Sequence, residues 1–264
     1  MNSVIAQRSV AFECALSERA RTWLRLEELF SVTRTFAARR EAIDHRAALI
    51  GLFDIVDTAG RSDLKTDLLQ ELDRQRSLWG AQLDNPDVAQ EALSEFLRDM
   101  DAVVHDLHRQ IGKIGQHLRE SEWLQSVRQR ASSPGGACSF ELPMLHSWLQ
   151  RSEYERKLEL KIWLDPLQPL EEAVLLVLRL LRESAHMSHE IAHNGNFHRT
   201  LSTTRPPMLA RVELDSGYAV VPELSANKYT VNLRFLDHRD QFQTGGRALV
   251  TTRDIPFSLA LCAL

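Results

Sequence analysis

The residue pattern changes period once along this 264-residue chain, and that change limits the folds open to it. From about Ser17 to His189 apolar residues recur mostly at three- and four-residue spacing, and from about Leu209 onward they alternate. The first period belongs to amphipathic helices and the second to half-buried strands. Ser17 is a helix-capping residue type, Glu18 follows where the dipole favours an acid, and Trp23, Leu26 and Phe30 form an inward stripe. A second helix is expected over roughly 42–56, with Leu49, Leu52, Phe53 and Val56 inward and Gly60 as the break. Ser62 then caps a third helix with a core stripe of Leu64, Leu68, Leu72 and Trp79. Asn85-Pro86-Asp87 opens a long fourth helix that bends near Gly112 and Gly115. Pro143 starts a short helix, and an apolar one runs from Leu170 to about His189. Helical hairpins joined by short breaks make a bundle.

The strand-like part reads as Leu209-Ala-Arg-Val-Glu-Leu214, Tyr218-Ala-Val-Val221, Tyr229 to Phe235 and Ile255 to Leu261, separated by turn residues. Four strands make a thin sheet. Val10-Ala-Phe-Glu-Cys14 and the Cys138-Ser-Phe-Glu-Leu142 segment are the candidates to extend it. The expected fold class is therefore α+β: a helical bundle over 17–190, and a smaller antiparallel β domain assembled from N-terminal, middle and C-terminal strands at 8–16, 137–142 and 205–264.

Charge and cysteine usage exclude several classes. The formal net charge is −4 and the pI near 6.2, which argues against general nucleic-acid binding. An acidic partner would need a local basic patch. Cys14, Cys138 and Cys262 lie far apart with no CxxC spacing, as expected in a reducing cytosol, and Cys138 reads as a buried strand residue. The N-terminal residues lack the apolar core of a signal peptide, and the longest apolar run, Ala173 to Leu178, is too short to cross a bilayer. A cytoplasmic protein with no membrane or nucleic-acid partner is expected.

His189-Glu190-Ile191-Ala192-His193 spells the zinc-peptidase signature. On a helix it would set two imidazoles on one face and a glutamate to activate a metal-bound water. Gly195 and His198 each come one residue too early for the extended zinc-protease pattern, which displaces the third ligand beyond what zinc tolerates. The alternative function on this motif is a zinc-dependent metallopeptidase-like hydrolase. A polar helix end followed by a loop accounts for the same letters, so no metal, no cofactor and no enzymatic activity are expected.

Several ordered segments carry a family resemblance. They are Arg21-Thr-Trp-Leu-Arg25-Leu-Glu27, Leu69-Gln-Glu-Leu-Asp-Arg-Gln75, Val127-Arg-Gln-Arg130, Ser133-Pro-Gly-Gly-Ala-Cys-Ser-Phe-Glu-Leu-Pro143 and Leu145-His-Ser-Trp-Leu149, with weaker similarity from Leu167-Gln-Pro-Leu170 onward. Together they resemble the ZapD family of bacterial cell-division proteins. The resemblance implies a non-enzymatic homodimer that binds the C-terminal tail of FtsZ and bundles its filaments, promoting Z-ring assembly and septation at midcell. A two-fold dimer presents two sites and can bridge filaments, which one site cannot. The basic residues in or near these segments are the candidate contacts: Arg21, Arg25, Arg61, Lys65, Arg119, Arg128, Arg130 and His146.

Overall fold

A computed structural model of the chain describes residues 9–60, 63–110, 112–131, 133–134, 138–201, 206–227, 229–237 and 249–264. These fall into two compact units, Thr22–Val177 and the pair of segments Met1–Arg21 and Leu178–Leu264. The fold is α+β, as the two periods imply.

The first unit is helical. Helix α1 (Glu18–Ala38) buries Trp23, Leu26, Phe30 and Thr33, and the Ser17 hydroxyl accepts the Ala20 amide at 3.2 Å as its N-cap. Helix α2 (Ala42–Ala59) buries Leu49, Leu52, Phe53, Ile55 and Val56. At Gly51 α1 and α2 approach so closely that a Cβ would stand 2.3 Å from the Thr33 hydroxyl, so only glycine fits. Helix α3 (Leu64–Gly80) packs against α4 (Gln90–Arg109), which returns Leu93, Met100 and Leu107 at seven-residue spacing. Short α5 (Gln116–Arg119), α6 (Glu122–Ala131), α7 (Pro143–Leu149), α8 (Glu153–Leu164) and α9 (Gln168–Glu183) complete the set among the described residues. Helix α2 is the scaffold on which α6, α7 and α8 pack. Trp123, Trp148 and Trp163 meet with centroids 5.4–5.9 Å apart, tying α6, α7 and α8 together.

Beside the α2–α8 contact lies a buried arginine with no carboxylate partner among the described residues. Arg156 donates to the carbonyls of Arg40 (3.0 Å) and Leu149 (3.1 Å), to that of Arg151, and to His45 Nδ1 at 2.9 Å. His45 is fully buried and its Nε2 sits 2.8 Å from the Arg39 carbonyl. That ring must therefore be neutral, with its proton on Nε2 and its lone pair facing the guanidinium. Burial lowers the His45 pKa below its ordinary value; the hydrogen bond to the Arg39 carbonyl opposes it, and the Arg156 and Lys157 charges add to the lowering against Glu153. Below about pH 6.5 the unfolded chain takes up a proton that the folded chain refuses, so this contribution to stability falls as pH drops. Thermal melting at pH 7.5 and 5.5 should show a loss of up to about 1.4 kcal/mol per pH unit from this group. His45→Gln, which keeps one acceptor and one donor, should remove that part of the slope. An unchanged slope in the variant would refute the assignment.

The second unit is a pair of antiparallel sheets. One has the order β1 (Ser9–Ala15), β4 (Leu209–Asp215), β8 (Ile255–Cys262), β2 (Ser188–Ala192). The other runs β3 (Asn196–Thr200), β6 (Thr230–Asp237), β5 (Val220–Ala226), with β7 (Leu249–Val250) also on β6. Val212, Leu214, Val231, Leu233, Phe235, Phe257 and Leu259 fill the core of this unit. Phe257 stacks edge-on against Phe197 at 5.1 Å and meets Phe235 at 5.0 Å. Arg182 in the last turn of α9 forms a bidentate pair with Glu13 of β1, at 2.8 and 2.7 Å.

Four local expectations need correction. Residues 138–141 form a turn, closed by the Glu141 and Leu142 amides on the Cys138 carbonyl at 3.1 Å, and not a strand; Cys138 is exposed. The alternation there is too short to distinguish a pleat from a turn leading into a proline-started helix. Asn85-Pro86-Asp87 is likewise a turn, with the Asn85 side chain accepting the Asp87 amide at 3.1 Å, so α4 begins only at Gln90. Trp79 lies outside the buried stripe of α3, and α9 stops at Glu183 rather than near His189. Arg61 and Ser62 lie outside the described residues.

Candidate functional site

Helix α2 ends without a basic residue in its last turn, so its C-terminal carbonyls need cations from elsewhere. Arg119 supplies one: its Nη2 donates to the Val56 carbonyl at 3.4 Å, the oxygen that also accepts the Gly60 amide at 2.9 Å. Gly60 makes this approach possible, since a Cβ there would stand 2.4 Å from the guanidinium. Lys65, in the first turn of α3, donates to the Gln110 and His108 carbonyls at 2.6 and 3.1 Å, at the C-terminal end of α4. Gly112 and Gly115, both at positive φ, then carry the chain into α5 and place Lys113 between them.

These placements create a cleft of about 420 Å³ lined by Gly60, Asp63, Lys65, Lys113, Ile114 and Arg119. Three cations face one carboxylate on a chain of net charge −4. Arg119 Nε is buried and makes no hydrogen bond within the described residues. Such a cleft attracts carboxylates and can hold one by charge-assisted donation. Lys113 was not among the residues picked from the sequence. Its signal is Gly112-Lys-Ile-Gly115, where the glycines read as a bend but not as the mount for a cation.

The other candidates among the described residues do not line this cleft. Arg128 of α6 pairs with Asp57 of α2 and bonds Gln125 at 3.2 Å, so its charge is largely answered. Burial and then Asp57 raise the Asp54 pKa on the same helix. Arg130 reaches Glu141 at 3.5 Å, linking the end of α6 to the turn before α7. Arg21 pairs with Glu18 at 3.3 Å across exposed helix surface, a contact worth little. Arg25, one turn along α1, and His146 on α7 are exposed and have no ion-pair partner among the described residues.

The HEIAH segment is strand β2, not a helix. Alternation puts His189 and His193 on one face and Glu190 on the other, which separates the groups a zinc hydrolase must converge. His189 Nδ1 bonds the Ser258 hydroxyl at 3.0 Å, His193 Nδ1 bonds Asp254 at 3.1 Å, and Glu190 pairs with Arg199. Asn194 and Gly195 both have positive φ, forming the two-residue primed turn that joins β2 to β3. His198 of β3, the candidate third ligand, bonds Asn232 of β6 at 2.7 Å. A larger hollow of about 980 Å³ does lie against β2, but neither a lysine nor an arginine lines it, and Glu190, Glu213 and Asp215 do.

The ZapD family model, described as a cell division protein, matches residues 24–234. The cell division protein ZapD of Aromatoleum aromaticum is 42% identical over 259 residues, covering 98% of this chain and 99% of that protein. Those of Azoarcus sp. and Dechloromonas aromatica are 42% and 43% identical over 97% of this chain and all of theirs. The chain belongs to the ZapD family. Its role is accordingly in cell division, and the basic cleft and the exposed Arg25 and His146 are the surface of a ZapD-family protein. Among the described residues no helix is long and apolar enough to cross a membrane.

Proposed function

We propose that this ZapD-family protein binds the C-terminal tail of FtsZ through its carboxylates at the basic cleft and, as a homodimer, cross-links FtsZ filaments during Z-ring assembly in the cytoplasm at midcell. The observation that carries the proposal is the convergence of Lys65, Lys113 and Arg119 on one cleft of an acidic protein. Arg25 and His146 are exposed and have no ion-pair partner among the described residues, whereas Arg21, Arg128 and Arg130 are already paired. A tail peptide supplies carboxylates that the cleft can desolvate and hold, and the surrounding charge speeds encounter. Cross-linking then follows from valence, because two linked sites hold a second filament at high effective concentration.

The dimer contact is assigned to α8. Tyr154, Leu158 and Ile162 recur every four residues on its outer face and are 74%, 46% and 57% exposed. The stripe complements itself: set antiparallel about a two-fold axis at Leu158, Tyr154 meets Ile162 and Glu155 meets Lys161 of the second copy.

Co-sedimentation with assembled FtsZ tests the central claim. Binding should be strong with full-length FtsZ, weaken steadily between about 50 and 300 mM salt as screening grows, and vanish when the C-terminal tail is removed. Equal binding to tailless filaments would overturn it.

A further inference from the structure

Among the described residues that line the basic cleft, Asp63 is the one acid, and its carboxylate is unanswered. It holds the position just before α3. At the starts of α1 and α8 the equivalent side chains, Ser17 and Ser152, turn their oxygens onto first-turn amides. Asp63 makes no such bond, and its side chain forms neither a hydrogen bond nor an ion pair among the described residues.

The cations beside it are directed elsewhere. Lys65 donates to the Gln110 and His108 carbonyls, Arg119 donates to the Val56 carbonyl, and Lys113 has no acidic partner among the described residues. On the same helices other acids do find an arginine: Asp57 of α2 pairs with Arg128, and Glu71 of α3 with Arg74. A carboxylate left open in a cleft of cations repels a purely acidic ligand at close range. That loss is recovered when the ligand brings its own cation to meet it.

We propose that Asp63 sets the specificity of this cleft: it selects segments that place a lysine or arginine beside the bound carboxylate, and it disfavours runs of acid and polyphosphate chains. The inference rests on the cleft being the place where tail carboxylates bind, and adds the requirement for a cation next to them. Lys65, Lys113 and Arg119 gather acidic ligands, and Asp63 sorts them.

Synthetic peptides test this on the full-length chain without FtsZ. Peptides of about 12 residues carry glutamates with a lysine at varied short spacing, and matched controls carry glutamine for that lysine. At about 150 mM salt Asp63→Asn should reduce the wild-type preference for lysine over glutamine at least about threefold. The same substitution should tighten binding of hexaglutamate at least about threefold. Asp63 is exposed and asparagine is an equally good capping residue, so the fold should be unchanged. Asp84→Asn, exposed beyond the far end of α3, removes the same charge at a distance and should leave both quantities near wild type. A preference for lysine that is equal in wild type and Asp63→Asn, or that shifts as much in Asp84→Asn, would overturn the proposal while leaving the cleft in place. A wild-type chain that binds none of these peptides would overturn the cleft itself, and this proposal with it.

Discussion

Converting Lys113 to glutamate and Arg119 to glutamine together is expected to reduce co-sedimentation with FtsZ filaments at least about tenfold near 150 mM salt. Each lost charge-assisted bond to a tail carboxylate is worth about 1.5–3 kcal/mol, and tenfold needs only about 1.4. Lys113 is exposed, so reversing it should leave the fold intact. Arg119 also answers the Val56 carbonyl, and glutamine retains a donor there. The residual binding should lose much of its salt dependence, since the charges producing that slope are gone. Wild-type co-sedimentation by a folded double variant would move the binding site elsewhere. Arg25→Glu in the same assay separates a site confined to the cleft from one that reaches α1.

Leu158→Glu is expected to convert the protein to a monomer in sedimentation velocity, abolishing filament bundling while leaving binding to an isolated tail peptide within about twofold. The side chain is nearly half exposed, so the monomer fold loses little, whereas two glutamates facing each other across the two-fold axis oppose association directly. The two outcomes are separable. A cleft variant should dimerise and fail to bind, and a stripe variant should bind and fail to bundle. A dimer persisting in Leu158→Glu would place the contact on another surface.

The helical half was readable because burial follows one rule along it. Trp23, Leu26, Phe30, Leu49, Leu52, Leu64, Leu68 and Leu72 are all buried where three- and four-residue spacing puts them. Trp79 obeys the same spacing but meets Phe96 of α4 on one edge and stays exposed elsewhere, and period alone does not report how much of a side chain packing covers. The strand segments at 209–214 and 229–235 were legible for the same reason as the helices, whereas β2 and β3 were hidden. His189-Glu-Ile-Ala-His193 looks like a zinc helix until Asn194-Gly195 is weighed as a hairpin turn, which fixes strand on both sides. The candidate site was half visible. Lys65 and Arg119 were chosen for their charge, but their convergence depends on Gly60 admitting the guanidinium and on two left-handed glycines mounting Lys113. Contacts between residues more than fifty positions apart leave no local pattern.

The position of β8 has a consequence for synthesis of the chain. It lies between β4 and β2, and among the described residues β1 attaches through β4 alone, so the four-stranded sheet has no continuous ladder until β8 has been made. The helical unit is contiguous and can be completed on the ribosome while β1 waits nearly two hundred residues for its register against β4. Truncation after Asp254 would remove the whole strand that joins β4 to β2, leaving their edges open to other chains. Closure of this sheet therefore waits on β8, the last strand in chain order among the described residues.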